Sequence, residues 1–210
     1  LNKNKNLKKK KNFLKQINLN FSNKTVLFAT TFDAFKDNRF LPYSFNNQFE
    51  SLKKIALYVT QKLNCNFIIK LHHYHHKYNF DPIFREISEI NNVYIFQPGQ
   101  NSNIFESNNF LLNSDIVITD TSGVGPICTF LDKKIIFLEP DKPFDWSKSD
   151  INSHLRPGFV CKTYPSLINA LKKYNTSDAF RMNRKKFVKK IFYQAKNIDQ
   201  DLHKKIRELI

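Results

Sequence analysis

Short apolar runs alternate with stretches of helical spacing along the chain. Residues 25–29 are continuously apolar after the first threonine, which is typical of a strand buried on both faces. Residues 47–63 instead repeat their large apolar side chains every three to four positions, as on one face of a helix. The same reading predicts further strands at 66–71, 93–96, 115–119 and 134–138, and further helices at 81–90, 104–113, 123–131, 164–174 and 179–195.

This alternation of strands and helices predicts an α/β fold. Strand–helix–strand units join parallel strands by crossovers that place helices on both faces of the sheet. We therefore expect a Rossmann-like, doubly wound parallel sheet over residues 23–210. Residues 1–22 are rich in Lys and Asn, and they are predicted to be a basic linker or leader with at most a short amphipathic helix. Because the chain starts at Leu1 rather than Met, we expect a piece of a longer protein or a processed one.

The charge of the chain is strongly positive. Lys and Arg number 34 against 18 Asp and Glu, which gives a formal net charge of +16 and a pI near 9.7. Asn, Ile and Phe are abundant as well, so AT-rich codons account for the larger share of the lysine excess. The remaining share would attract anions such as membrane headgroups, nucleic acid or a phosphate-bearing substrate. Nucleic acid is not expected as a partner, because no nucleic-acid-binding motif is present.

Two classes of protein are excluded by the sequence. The three cysteines form no CxxC pair and no even framework, which argues against a disulfide-stapled secreted domain and favours a reducing compartment. No apolar run in the sequence approaches the ~18 residues that a membrane-spanning helix needs. The content of 41% hydrophobic residues is nevertheless ample for a packed core.

The loop after the fourth predicted strand is the first candidate site, because ligands of such sheets bind at the carboxyl ends of the strands. Thr119 and Asp120 end that strand, and Thr121, Ser122 and Gly123 lead into the next helix. Small hydroxyl residues and a glycine before a helix N-terminus favour phosphate binding. An ordinary capped turn is the alternative, since neither a Walker loop nor a GxGxxG pattern is present.

A histidine cluster follows the second predicted strand. Four histidines lie within residues 72–76, and neutral imidazoles suit Zn, Ni or Cu. No cysteine pair or carboxylate stands at the usual ligand spacing, so we expect no metal site. A single histidine at the end of the strand, best placed at His72, would instead bond a phosphate or transfer a proton.

The long polar segment after the fifth predicted strand supplies two more candidates. Asp141 would bind hydroxyl groups of a ligand or serve a structural role, and Arg156 would clamp a phosphate. The alternative is an irregular surface loop.

The order of these motifs resembles a known family. The strand end Lys70–Leu71–His72, the segment 114–123, the strand 134–138, Asp141 and the pair Pro157–Gly158 together resemble the C-terminal domain of the CDP-glycerol glycerophosphotransferases. These enzymes are the teichoic-acid primases and polymerases, and the resemblance covers residues 24–210. It implies one half of a GT-B fold, in which two Rossmann-like domains face each other across a cleft and the C-terminal one holds the nucleotide donor.

The resemblance also implies an activity. Family members transfer glycerol phosphate from CDP-glycerol to a hydroxyl of a lipid-linked or polymeric acceptor, and they release CMP. They act in the synthesis of cell-surface polymers such as teichoic acid or capsule, as peripheral membrane proteins on the cytoplasmic face. The implied partners are the donor, the acceptor and an anionic membrane surface, and no cofactor is expected.

Individual residues match the family pattern unevenly. His72 matches the histidine that contacts the donor phosphates, and we take it as the catalytic candidate. Ser122 matches a serine at the pyrophosphate, and Thr119 and Asp120 match the start of the same motif. The chain departs from the pattern at Thr121, where the family has Tyr. It departs also at Gly123, where the family has a second Ser, and at His73, where it has Pro.

The family's catalytic base belongs to the N-terminal domain, so we expect a missing domain or a partner subunit to supply it. Two other functions stay open. The same fold serves GT-B glycosyltransferases and epimerases that act on sugar nucleotides, and an Asp-Ser-Gly-Gly turn of such epimerases resembles residues 120–123. The chain would otherwise be a basic anion-binding module without catalysis.

Overall fold

A computed structural model describes residues 3–29, 48–70, 82–96, 107–120, 124–138 and 157–193 of the chain. These residues form a six-stranded, fully parallel sheet with helices on both faces, which confirms the predicted fold class. The strands are β1 (Thr25–Phe28), β2 (Asn66–Lys70), β3 (Val93–Phe96), β4 (Ile116–Thr119), β5 (Lys134–Leu138) and β6 (Phe159–Cys161). The helices are α1 (Lys3–Gln16), α2 (Gln48–Leu57), α3 (Pro82–Ser88), α4 (Ser107–Asn113), α5 (Val124–Phe130), α6 (Tyr164–Thr176) and α7 (Arg181–Tyr193).

The strand order explains where a ligand would bind. The order is β3-β2-β1-β4-β5-β6, so the chain builds outward from β1 in one direction and then restarts at β4 in the other. Phe28 of β1 pairs with Ile69 on one side and with Ile118 of β4 on the other. The gap between the loops that leave β1 and β4 is the switch point of the sheet, where doubly wound folds bind their ligands.

The core lies in two layers, one on each face of the sheet. Successive residues of β1 alternate between them, with Val26 and Phe28 on one face and Leu27 and Ala29 on the other. Helices α2, α3 and α6 cover the first face, and α1, α4 and α5 cover the second. Because both faces are covered, every residue of β1 and β4 is buried, which accounts for their continuous apolar sequences.

Helix α1 differs from the sequence prediction. Residues 1–22 were expected to hold at most a short helix, but α1 has 14 residues and packs against the second face of the sheet. Phe13, Leu14 and Ile17 are buried there, and the Phe13 ring meets the Phe110 ring edge-on at 5.3 Å. Part of this segment therefore belongs to the core, while a domain boundary at residue 22 stays a prediction.

Strand β6 was not predicted. It has only three residues, two of which are half-buried, and it pairs with β5 at the edge of the sheet. Steric constraints require a glycine at position 158, just before β6. An added Cβ there would lie 2.0 Å from the Ile135 carbonyl oxygen, so only glycine lets the chain run this close to β5.

The remaining predictions for the described elements are confirmed within a few residues. Helix α2 continues as a π-helical turn over Tyr58–Lys62, where the Thr60 hydroxyl donates to the Ala56 carbonyl. Helix α6 begins with a capping box, in which Thr163 and Ser166 each bond the other's backbone amide. Among the described residues, no helix has both the length and the apolar character that crossing a bilayer requires.

Candidate functional site

The carboxyl ends of the strands form the candidate site. The register places Lys70 of β2 beside Phe96 of β3, and Thr119 of β4 beside Phe137 of β5. The Ala29 amide donates to the Ile118 carbonyl at 2.9 Å, so the pairing of β1 with β4 continues to the end of both strands. The loops that follow β1 and β4 therefore start side by side at the switch point.

Thr119 and Asp120 are the two predicted site residues that the structure describes. Both are fully buried although both are polar, and both lie where β4 ends at the switch point. Each makes further interactions of its own, as a buried hydroxyl and a buried carboxylate require. Their predicted position is thus confirmed, whereas their contact with a donor phosphate stays a prediction.

Lys70 is a residue of this edge to which sequence reasoning gave no role. It ends β2, and burial lowers the pKa of its ammonium because the charged form loses water. Within the described part of the chain, this ammonium has no hydrogen bond or ion pair. The signal was available, since a lysine ends an otherwise apolar run, but Lys70 was used only to locate the strand and as part of the motif Lys70–Leu71–His72.

The other predicted site residues lie outside the described residues. They are His72 with the rest of the 72–76 cluster, Thr121, Ser122, Gly123, Asp141 and Arg156. In the sequence, His72 follows Lys70 by two positions and Ser122 follows Asp120 by two. Their roles stay predictions. Among described residues, no group of three or more His, Cys, Asp or Glu is arranged to hold a metal ion.

Helix α5 packs closely on β5 just beyond the site. An added Cβ at Gly125 would lie 2.8 Å from Cε1 of Phe137, which is closer than real Cβ contacts come. The Thr129 hydroxyl donates to the Gly125 carbonyl at 2.9 Å and holds the same turn of helix. The glycine thus makes room for the Phe137 ring of β5.

The opposite edge of the sheet, at the amino ends of the strands, holds a network of lysines. Lys133 donates to the carbonyls of Leu112 and Ser114 at 2.7 and 2.8 Å, just where α4 ends. Lys134 donates to the Tyr174 carbonyl at 2.6 Å and Lys24 to the Asn175 carbonyl at 2.5 Å, both in the last turn of α6. These lysines cap the negative ends of two helices.

Carboxylates complete this amino-end network around an open cavity of about 300 Å³. Asp115 accepts both Lys10 hydrogen bonds, at 2.8 and 2.7 Å, together with the Thr25 amide at 2.8 Å. The guanidinium of Arg184 is 1% exposed, and it bonds both Asp178 oxygens at 2.9 and 2.5 Å and Asp132 at 2.9 Å. The lysines, Arg184 and carboxylates named here are thus engaged in structural contacts, whereas the buried Tyr174 hydroxyl, also at this cavity, has no hydrogen-bond partner among the described residues.

The comparison with protein families decides the identity of the chain. Residues 1–206 match the family described as CDP-glycerol:poly(glycerophosphate) glycerophosphotransferase. The chain belongs to this glycerophosphotransferase family. The family resemblance found in the sequence is thereby confirmed, and the match includes α1 as well as the sheet. Comparison with curated proteins gives no match.

Solved structures show the same fold in glycerophosphotransferases and glycosyltransferases. The wall teichoic acid polymerase TagF is 20% identical over 96% of this chain, with a TM-score of 0.55. The E. coli ADP-heptose LPS heptosyltransferase II is 11% identical over 80% of the chain, with a TM-score of 0.52. The aligned parts make up 48% and 51% of these proteins, so this glycerophosphotransferase chain spans about half the length of either GT-B relative.

Proposed function

We propose that this chain is the donor-binding half of a transferase that moves glycerol phosphate from CDP-glycerol to a hydroxyl of a polymer or lipid-linked acceptor. The observation that carries the proposal is the family match over residues 1–206. The position of the candidate residues supports it, because Thr119 and Asp120 end β4 at the switch point and His72 and Ser122 follow two strand ends.

The proposed reaction is a substitution at phosphorus. The acceptor oxygen attacks the phosphorus that carries glycerol, and the bond from this phosphorus to the bridging oxygen of the pyrophosphate breaks. CMP leaves with the electron pair of that bond, and the acceptor proton passes to a base. Negative charge grows on CMP, so cations and hydroxyl donors fixed at the donor phosphates lower the barrier. We assign this role to His72, Ser122 and Lys70.

Lys70 suits this role on physical grounds. Its ammonium is partly desolvated and has no acceptor among the described residues. A bound diphosphate would therefore form an ion pair with it without first breaking another contact. Thr119, Thr121, Gly123 and Arg156 are proposed to contact the phosphates, with Asp120 and Asp141 as donor-binding or structural residues. The base is proposed to come from a second domain or a partner subunit, because the chain spans about half of TagF.

The proposed setting follows from the acceptor. A lipid-linked acceptor lies at a membrane, so we propose a peripheral protein at the cytoplasmic face that contributes to a bacterial surface polymer such as teichoic acid or capsule. The basic charge of the chain supports contact with anionic lipid.

A sugar-nucleotide enzyme is the second candidate. Its support is the likeness to the heptosyltransferase, and to a Listeria monocytogenes protein assigned as a UDP-N-acetylglucosamine 2-epimerase. The latter is 15% identical over 77% of this chain and 39% of its own, with a TM-score of 0.50. Preference for a uridine or adenine nucleotide over CDP-glycerol would favour it.

Calorimetric titration with CDP-glycerol, CMP, CDP and UDP at two salt concentrations tests the proposal. We expect cytidine-selective binding that weakens at least tenfold in Ser122→Ala and His72→Ala, while the control Ser177→Ala, at the end of α6, binds normally. Equal weak binding of every nucleotide that disappears at the higher salt concentration would contradict the proposal and indicate a basic anion-binding module.

A further inference from the structure

Helix α1 is held firmly against the sheet, and this fixes which of its side chains face outward. On the inner side, Lys10 bonds Asp115 through both carboxylate oxygens, and Phe13, Leu14 and Ile17 are buried. These four residues follow the spacing of one helix face. The residues of the opposite side therefore form a fixed outer surface rather than a flexible tail.

The outer side of α1 carries uncompensated positive charge. Lys8, Lys9, Lys11 and Lys15 are all exposed. No acidic residue precedes Asp33 in the sequence, and the neighbouring helix α4 contains no charged residue. Among the described residues, Asp115 is the carboxylate that meets α1, and Lys10 already occupies it.

Large apolar side chains lie among these lysines. Leu7 is 65% exposed and Phe21 is 46% exposed, and they are two of the four large hydrophobic residues that protrude from the described part of the chain. Leu7 stands one helical turn before Lys11, whose Nζ lies 4.6 Å from the centroid of the Phe21 ring. Basic and apolar groups thus share one patch.

We propose that this patch, formed by Leu7, Lys8, Lys11, Lys15 and Phe21, binds the anionic headgroups of a membrane surface. The lysines would meet lipid phosphates, and Leu7 and Phe21 would enter the boundary between headgroups and acyl chains. The inference rests on the proposed function only in that a lipid-linked acceptor brings the protein to a membrane. The membrane contact is assigned to α1 and to Phe21, which follows it.

The apolar residues favour a membrane over a soluble polyanion. A polyanion in water needs only the lysines, and it would leave Leu7 and Phe21 exposed. Helix α7 offers a comparison, because Lys185, Lys186 and Lys189 are exposed there, and Met182 is the exposed large apolar residue among the side chains described on that helix. If charge alone mattered, α7 would bind equally well.

The contact that anchors α1 and the candidate nucleotide site lie at opposite ends of β4. Asp115, which anchors α1, precedes the strand, whereas Asp120 follows it. Asp120 follows Asp115 by five positions, which at ~3.3 Å each separates the two by roughly 16 Å. Changes on α1 therefore leave nucleotide binding intact, and the two activities can be measured separately.

Cosedimentation of the chain with vesicles tests the proposal. The probe is vesicles of phosphatidylglycerol and phosphatidylcholine in equal amounts, with pure phosphatidylcholine vesicles as reference. We expect binding to the anionic vesicles that falls about 100-fold in Lys8→Gln/Lys11→Gln/Lys15→Gln, at about fivefold for each lysine. Leu7→Ser/Phe21→Ser is expected to weaken binding about tenfold at unchanged charge.

The matched control is Lys185→Gln/Lys186→Gln/Lys189→Gln on α7, which removes the same charge. An equal loss in this control would overturn the proposal in favour of bulk charge, and insensitivity to the Leu7 and Phe21 changes would overturn it in favour of a soluble polyanion. Vesicle binding and CDP-glycerol titration of the unsubstituted chain separate the two hypotheses. Normal nucleotide binding without vesicle binding refutes the patch alone, and the reverse result refutes the proposed function alone.

Discussion

The two ends of the strands differ in what their cations contact. At the amino ends, Lys24, Lys133 and Lys134 each donate to a helix-terminal carbonyl, and Arg184 bonds two carboxylates. At the carboxyl ends, Lys70 is partly buried without a hydrogen bond or ion pair in the described part of the chain. The first arrangement uses its charges to hold helices in place, and the second keeps a charge available.

The difference separates stability from binding within one sheet. Contacts at the amino ends contribute to folding, because removing one partner leaves the other without its hydrogen bond or counter-charge. The Lys70 ammonium loses solvation and has no hydrogen bond or ion pair within the described residues, which suits the phosphate contact proposed for it. Substitutions at the two ends should therefore have opposite consequences.

The largest effect is expected for Arg184→Met at the amino ends. Removal of this guanidinium leaves Asp178 without its hydrogen-bonded cation and leaves Asp132 with the exposed Arg181, which costs about 3 kcal/mol of unfolding free energy. Urea denaturation measures it. The control is Arg181→Met, whose guanidinium is 63% exposed and lies 3.4 Å from Asp132, and which should cost under ~1 kcal/mol. Equal losses of unfolding free energy in both variants would show that Arg184 stabilises the fold no more than an exposed arginine does.

Lys70→Met tests the carboxyl ends. We expect nucleotide affinity to fall by about tenfold or more, because a charge-assisted contact with the diphosphate is lost. The unfolding free energy should stay equal or rise, since a desolvated ammonium is replaced by an apolar side chain of similar length.

The control for this prediction comes from the other end of the sheet. Lys134→Met removes a lysine that donates to the Tyr174 carbonyl, so it should lower stability by about 1 kcal/mol and leave nucleotide affinity unchanged. If Lys70→Met destabilised the fold and spared affinity, Lys70 would be structural and the contrast between the two ends would not hold.

A smaller effect is expected from acid. Burial alone would raise the pKa of Asp178, but hydrogen bonds and charge from Arg184 outweigh it and lower that pKa below the ordinary 3.8. The pair thus contributes its full stability above pH 3.8 and loses it as the pH falls through the lower, folded-state value. Unfolding free energy measured against pH should decline there, and Asp178→Asn should flatten that decline.

The smallest effect concerns the cysteines. Burial raises the pKa of the Cys128 thiol to about 12 and that of Cys161 to about 11, and Cys65 is raised in the same direction. At pH 8 roughly one thiol in a thousand or fewer would be ionised at Cys161, so alkylation of the native chain should be very slow. All three should react after unfolding. Rapid native labelling would indicate that the core opens locally.

The sheet could be predicted from sequence because its strands are buried on both faces. Continuous apolar runs mark β1 to β5, whereas β6 is short, half-buried and preceded by Pro157–Gly158, so it carries no such mark. Helix α1 was underestimated for another reason. Its inner face begins with Lys10, and a lysine is expected to face solvent. The fold places Asp115, 105 positions later in the sequence, beside it.

The candidate site was only partly accessible to the same reasoning. Parallel topology places the loops after the strands, and this located Thr119 and Asp120 correctly at the switch point. The role proposed for Lys70 rests on the lack of a partner among the described residues, and the contacts of the amino-end lysines are made with carbonyls far away in sequence. Neither property leaves a local pattern.

The contact between Lys24 and Asn175 has a consequence for synthesis of the chain. Lys24 stands just before β1, and its acceptor lies 151 positions later in α6. At translation rates of about 5–20 residues per second, roughly 8–30 s pass between the emergence of the two groups from the ribosome. During that interval the nascent amino edge lacks its acceptors in α6. A pause in translation before α6 would prolong this interval, during which chaperones and proteases can reach the incomplete edge.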